Sequence, residues 1–264
     1  MDIRNKTVVV TGGGSGIGAA LCRRFAQENV KGVAVADIDL DGAQNIASEI
    51  SKDTVAMALR CDVAKEEDIV NLIAETEKNL GPVDVFCSNA GILMLGDFTA
   101  SDEQWQKTWG VNVMSHVYAA RAVIPGMVKR GGGAFICTAS AAGLLNMIES
   151  GMYAVSKHAA LGFIENLAIN YGDKGIYAAA ICPMAVKSKM TANGGGSAGM
   201  DGILDAEEVA DHVMRAMTED RFLILPHPEV KQYIKHKAAD TDKWIGGMRN
   251  FKKACETKMI IPKT

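Results

Sequence analysis

Tyr153 and Lys157 stand four residues apart in Y-A-V-S-K, a spacing that stacks an ammonium beneath a phenol on one face of a helix. A phenol of reference pKa ~10 is a poor base near neutrality. A fixed positive charge beside it favours the phenolate. Moving that pKa by ~3 units takes roughly 4 kcal/mol of differential stabilisation, so a second cation is expected next to the lysine. With both, the pair is a proton donor and acceptor; alone on a solvated helix it is ordinary surface. Ser140, in C-T-A-S-A-A-G, adds a hydroxyl able to bond a substrate oxygen.

These side chains need a scaffold, and the chain alternates short β-branched runs with longer amphipathic stretches. Strands are expected at 7–11, 32–37, 55–60, 83–88, 134–138, 176–181 and 222–225, and helices at 17–28, 41–50, 66–79, 102–123, 152–171 and 206–217. Ser101 with Gln104 and Asp205 with Glu208 have capping-box spacing. The pattern predicts an α/β fold: a single-domain, Rossmann-type doubly wound parallel sheet of about seven strands with helices on both faces. The 264 residues suit one such domain over 1–264. Within it 188–205 is expected as a substrate lid, with its mobile centre at 194–199, and 226–264 as a variable extension.

Thr11 to Gly18 reads T-G-G-G-S-G-I-G directly after the first strand. Gly12, Gly14, Ser15, Gly16, Ile17 and Gly18 thereby form a turn whose amides can approach a pyrophosphate at a helix N-terminus. Asp37 ends the next strand, where a carboxylate accepts from ribose hydroxyls and repels a 2′-phosphate, so NAD is expected rather than NADP. An oxidised nicotinamide would be the second cation beside Tyr153. Asp62 and Val63 follow the third strand; Asp62 can bond an adenine amino group or cap a helix. Asn89, Ala90 and Gly91 end the fourth, small enough for a ribose to lie close.

Composition limits the remaining choices. A net charge of −3 leaves no footprint for nucleic acid or an anionic membrane. The six cysteines, Cys22, Cys61, Cys87, Cys137, Cys182 and Cys255, lack C-x-x-C spacing, so no metal is expected and reduced thiols in a cytoplasmic protein are. Neither a signal peptide nor a membrane span is read at the N-terminus.

Through T-G-G-G-S-G-I-G, N-A-G, Ser140 and Y-A-V-S-K the chain resembles the short-chain dehydrogenase/reductases over nearly its whole length. The resemblance implies Tyr153 as acid/base, Lys157 as the residue that lowers its pKa and bonds the nicotinamide ribose, and Ser140 as substrate orienter. Asn112, in G-V-N-V, would hold a helix kink and a water that relays protons. Where the family has P-G-x-V-x-T, this chain has Pro183, Met184, Ala185, Val186, Lys187 and Ser188. Pro183, Val186 and Ser188 are expected to keep the nicotinamide, with Met184 altering the pocket. The implied reaction is reversible hydride transfer between NAD and a hydrophobic secondary alcohol or ketone of hydroxysteroid, aryl or alicyclic type.

Met94, Leu145, Met147 and Met184 are the expected apolar pocket residues, with Asn146, Glu149 and His158 as polar candidates beside them. The resemblance also implies a homotetramer or homodimer built on helices 102–123 and 152–171. The lysine-rich end, Lys231 to Lys263, is read as a solvated basic helix, as a cover for a neighbouring subunit's pocket, or as a patch that attracts an anionic substrate such as an acyl-CoA. A ketone or 3-oxoacyl reductase using either cofactor, and a dinucleotide-sensing protein without turnover, are the competing functions.

Overall fold

A computed structural model of the chain describes residues 1–192, 194–258 and 260; Lys263 of the basic stretch lies outside them. β-Branched and small residues build seven parallel strands: β1 Thr7–Thr11, β2 Gly32–Asp37, β3 Val55–Arg60, β4 Val83–Ser88, β5 Gly133–Thr138, β6 Ile176–Ile181 and β7 Leu223–Ile224. They pair in the order β3-β2-β1-β4-β5-β6-β7. The order reverses between β1 and β4, and a crevice opens at the strand ends there. Alternation along each strand feeds two cores. Val8 and Val10 pack on one face of the sheet, and Val9 on the other with Phe86 and Phe135.

The helices are α1 Gly16–Ala26, α2 Leu40–Ile50, α3 Glu66–Leu80, α4 Asp102–Trp109, α5 Ser115–Lys129, α6 Ala142–Leu145, α7 Gly151–Tyr171, α8 Ala206–Thr218, α9 Glu229–Ala239 and α10 Thr241–Thr257. Both caps form: the Ser101 hydroxyl accepts from Gln104 N–H while Gln104 accepts from Ser101 N–H, and Glu208 accepts from Asp205 N–H.

Three elements depart from expectation. The helix expected over 102–123 has a π-helical turn at Gly110–Met114, where the resemblance implies a kink at Asn112, and it runs past its expected end through Pro125 to Lys129. Proline removes only a bond to the carbonyl of Arg121, whose side chain is exposed. The seventh strand is an edge strand of two residues, paired on one side only. The basic stretch is two helices, α9 and α10, and their inner face forms a third apolar cluster: Val230, Tyr233, Ile234 and Trp244 against Leu144, Leu145 and Met184.

Candidate active site

Glycine at the β1–α1 turn is a steric requirement. A Cβ on Gly18 would lie 2.0 Å from the Gly12 carbonyl oxygen, and one on Gly12, whose φ is +65°, 2.9 Å from Ala90 Cα. The turn is thereby pressed against the end of β4, where Asn89 locks the two together. Its backbone N–H donates to Thr11 Oγ1 at 3.0 Å and its amide to Thr11 O at 3.0 Å. Thr138 Oγ1, from β5, donates to Asn89 Oδ1 at 2.9 Å. Ser15 is the N-cap of α1 with no side-chain cap bond, which leaves its hydroxyl and the first amides of α1 available to an anion. Ile17 packs into the core beneath.

Asp37 is more than a surface carboxylate. Oδ2 accepts from Gly14 N–H at 2.9 Å and Oδ1 from Asp39 N–H at 3.0 Å, so the acid shapes the glycine turn and keeps a lone pair on each oxygen. Asp62 does not cap α3. That place is held by Lys65, because Asp62 bonds Ala64 N–H two residues on, and Val63 turns into the core. Ser188 closes the turn from the other side, its Cβ only 3.2 Å from where a Cβ on Gly16 would stand. Segment 183–188 therefore lies over the same turn.

α7 carries Tyr153 and Lys157, the pair expected to transfer protons. Its N-cap Ser150 accepts from Tyr153 N–H. The Lys157 ammonium lies 5.6 Å from the Tyr153 ring centroid and is 2% exposed, and it donates to Thr138 O at 2.8 Å. One carbonyl is thin compensation for a buried cation. Its other two N–H directions call for hydroxyls, and a Cβ on Gly91 would stand 3.4 Å from its Nζ, so the open space beside it leads to the Asn89–Gly91 strand end. Asn112, fully buried in the π turn, accepts from Ile92 N–H at 2.9 Å and donates to Ile92 O at 2.9 Å and Ser156 Oγ at 3.1 Å. It fastens the β4 extension to α7 between Tyr153 and Lys157. Cys137 and Cys182, which flank this floor, have their thiols pushed up to about 12 by burial and offer no nucleophile.

Ser140 and Tyr153 open into a cavity of about 710 Å³ lined by Leu145, Met147 and Met184, three of the four residues expected there. Met94 is not among them and Leu93 is. The Met94 carbonyl accepts from Ser150 Oγ at 2.6 Å, and this bond, with the bridge between Gly96 and Ser150, turns its segment toward the start of α7. Of the polar candidates, Asn146 lines the cavity. Glu149 instead accepts from Ser197 N–H and Oγ at 2.6 and 2.7 Å, and His158 bonds the Ala154 carbonyl one turn back on α7. Met190, Thr191, Ser197 and Met200, from the segment expected as a lid, form part of the wall.

Sequence reasoning missed Thr11, Thr138 and Ser156, which hold the site through backbone-directed bonds. It also missed Tyr233, Trp244 and Phe251 of α9 and α10, which line the cavity of their own chain rather than lying solvated. Their spacing on an apolar face was the available signal, obscured by the lysines between them.

The dinucleotide fits the residues present: a turn where side chains cannot be accommodated, a fixed acid at the second strand end, and an under-partnered buried ammonium. Comparison with known proteins agrees. The family model described as short chain dehydrogenase matches residues 6–196. A 1-deoxy-11-beta-hydroxypentalenate dehydrogenase of Streptomyces exfoliatus is 33% identical over 249 residues, 91% of this chain and 90% of that one. A cyclohexanol dehydrogenase of Acinetobacter sp. (strain SE19) is 32% identical, covering 71% of this chain and 76% of its own. A solved short chain dehydrogenase/reductase from Burkholderia phymatum, in complex with NAD, superposes with a TM-score of 0.84 at 25% identity over 92% of this chain and 96% of that one. With that motif-bearing crevice and these matches, the chain belongs to the short-chain dehydrogenase/reductase family of nicotinamide-dependent oxidoreductases and carries an alcohol-dehydrogenase type of site.

Proposed function

We propose that the protein is an NAD-dependent dehydrogenase of hydrophobic secondary alcohols, working reversibly on the corresponding ketones. The observation that carries this reading is the buried Lys157 ammonium, with one carbonyl partner, under the ring of Tyr153, which with Ser140 lines a mostly apolar cavity. NAD would be held by the Gly12–Gly18 turn, Asp37, Asp62 and Val63, Asn89 to Gly91, Lys157, and Pro183, Val186 and Ser188. When bound, it supplies the hydride acceptor and a positive charge. The chain's own residues handle the proton. Tyr153, with the Lys157 ammonium beneath its ring, takes the carbinol proton, Ser140 fixes the substrate oxygen, and Asn112 keeps α7 and the Gly91–Ile92 segment in register. Segment 188–205 acts as a lid that excludes water.

Lys189 sits close to the ribose end, but its ammonium is paired with Asp39 at 3.3 Å. An NADP preference would require it to leave that partner and to outweigh Asp37. We also take the working unit to be a homodimer or homotetramer packed through α4–α5 and α7. The cytoplasm is its proposed location; among the described residues no helix is long and apolar enough to cross a membrane.

The test is Tyr153→Phe assayed by NADH absorbance with a panel of secondary alcohols. Turnover should fall by about 10²–10⁴ while calorimetric NAD affinity is kept. Undiminished turnover would remove the mechanism, and NAD binding with no turnover by the unmodified protein would favour a sensing role.

A further inference from the structure

The wall of the cavity made by α9 and α10 lies wholly beyond residue 196, where the match to the family model ends, so what it selects does not follow from that match. Tyr233 and Trp244 stand with ring centroids 6.4 Å apart and pack with Val230 and Ile234 against Leu144 and Met184. Met248 and Phe251 extend the same wall one and two turns further along α10. Three of its polar side chains have partners of their own, and the Lys243 side chain stands at the same lining. The Tyr233 hydroxyl donates to Asp201 at 2.9 Å, Asp240 accepts from Lys243 N–H at 2.9 Å, and the His236 ring bonds the Gln232 amide at 2.8 Å. Across from it stands Met184, the methionine that replaces the family glycine, its backbone N–H fixed by His227 Nδ1 at 3.1 Å. Polarisable, unbranched Met147, Met184, Met190 and Met200 complete an adaptable apolar lining.

A cavity of about 710 Å³ falls in the range that encloses drug-sized ligands. A single six-membered ring held at Ser140 and Tyr153 would leave the aromatic wall facing water. Resting on the proposed dehydrogenase reading, we infer that the substrate is a bulky, fused-ring secondary alcohol, and that Trp244 and Tyr233 select it by covering its apolar body. Each further buried methylene is worth about fourfold in binding, so size alone discriminates strongly.

The experiment compares kcat/KM of the NAD-saturated enzyme for cyclohexanol, a decalol and a four-ring hydroxysteroid. A rise of at least about tenfold from one ring to four is expected; a flat or falling series overturns the inference. Trp244→Ala should lose at least about tenfold more on the four-ring alcohol than on cyclohexanol, and equal losses on both would count against a selective wall. Tryptophan emission gives a readout independent of turnover. In a Trp105→Phe/Trp109→Phe background Trp244 is the remaining one of three tryptophans, and the four-ring alcohol should shift its emission in the NAD-loaded protein. Absence of a shift refutes contact with the wall. If no alcohol is oxidised but Trp244 still responds, the dehydrogenase reading fails while the bulky-ligand wall stands.

Discussion

On the proposed NAD reading, cofactor choice rests on the Asp37 carboxylate, both of whose oxygens are held by backbone N–H groups of Gly14 and Asp39. Asp37→Ala removes the repulsion and also loosens the glycine turn. With hydrogen bonds to charged groups worth about 1.5–3 kcal/mol, the KM for NAD should rise about ten- to a hundredfold and the NAD-to-NADP preference ratio should shrink, both read from initial rates. Unchanged selectivity would mean that the carboxylate is only a turn-former. His116 tests burial instead of binding. It lies wholly inside, its Nδ1 2.7 Å from Ser88 Oγ, and burial, helped by the Lys157 charge, pushes its pKa down to about 3. The folded state keeps it neutral while the unfolded chain protonates it below ~6.5. Its contribution is therefore intact above pH ~6.5 and is lost at up to ~1.4 kcal/mol per unit as pH falls toward 3. In urea titrations, His116→Asn should lose about 2 kcal/mol less between pH 7 and 5 than the unmodified protein; parallel losses would assign the pH dependence to other groups.

Elements read easily from the sequence where local signals and burial agree, and poorly where a distant contact decides. β1 to β4 and β6 fall on their expected residues because β-branched runs bounded by breakers cannot satisfy their backbones otherwise. The glycine turn and the Tyr153–Lys157 helix were equally legible, since each depends on residues adjacent in the chain. The π turn was legible only through the resemblance, which implies a kink at Asn112: nothing in G-V-N-V itself disfavours an ordinary helix, and the extra residue is held by Asn112 gripping Ile92, 20 residues away. α9 and α10 were misjudged because exposed lysines dominate their composition while Tyr233, Ile234 and Trp244 turn inward. The π turn makes a prediction of its own. Asn112→Ala leaves the N–H and C=O of Ile92 without partners, at about 1–3 kcal/mol each, so the unfolding free energy should fall by about 2–5 kcal/mol. The same change lets Gly91 and Lys157 drift relative to Tyr153, and displacements near 1 Å can cost ~10²-fold in rate. A variant that loses stability but keeps kcat would confine Asn112 to packing.

At the scale of the molecule, the sheet gathers loops from β1, β2, β4, β5 and β6 into one crevice, and α9 and α10 cover the cavity beside it, so each half of the reaction has its own wall. One helix is left over-provided with apolar surface. α7 buries Ala160, Ile164 and Leu167 against the sheet, yet its outer face still presents Val155 at 49% and Ile169 at 74% exposure. Large apolar side chains exposed on one helix face are ordinarily covered, and on the proposed oligomer a second copy of α7 would cover both residues at once. In a two-fold interface every residue acts twice. If burying one such side chain is worth about 1.5–3 kcal/mol, Ile169→Asp should weaken association by about 3–6 kcal/mol, or ~10²–10⁴-fold in Kd. Light scattering at micromolar concentration should then report a smaller assembly for the variant than for the unmodified protein, with NAD affinity retained because the crevice belongs to one chain. If the two share one mass, α7 is not the contact, and its outer face needs another explanation.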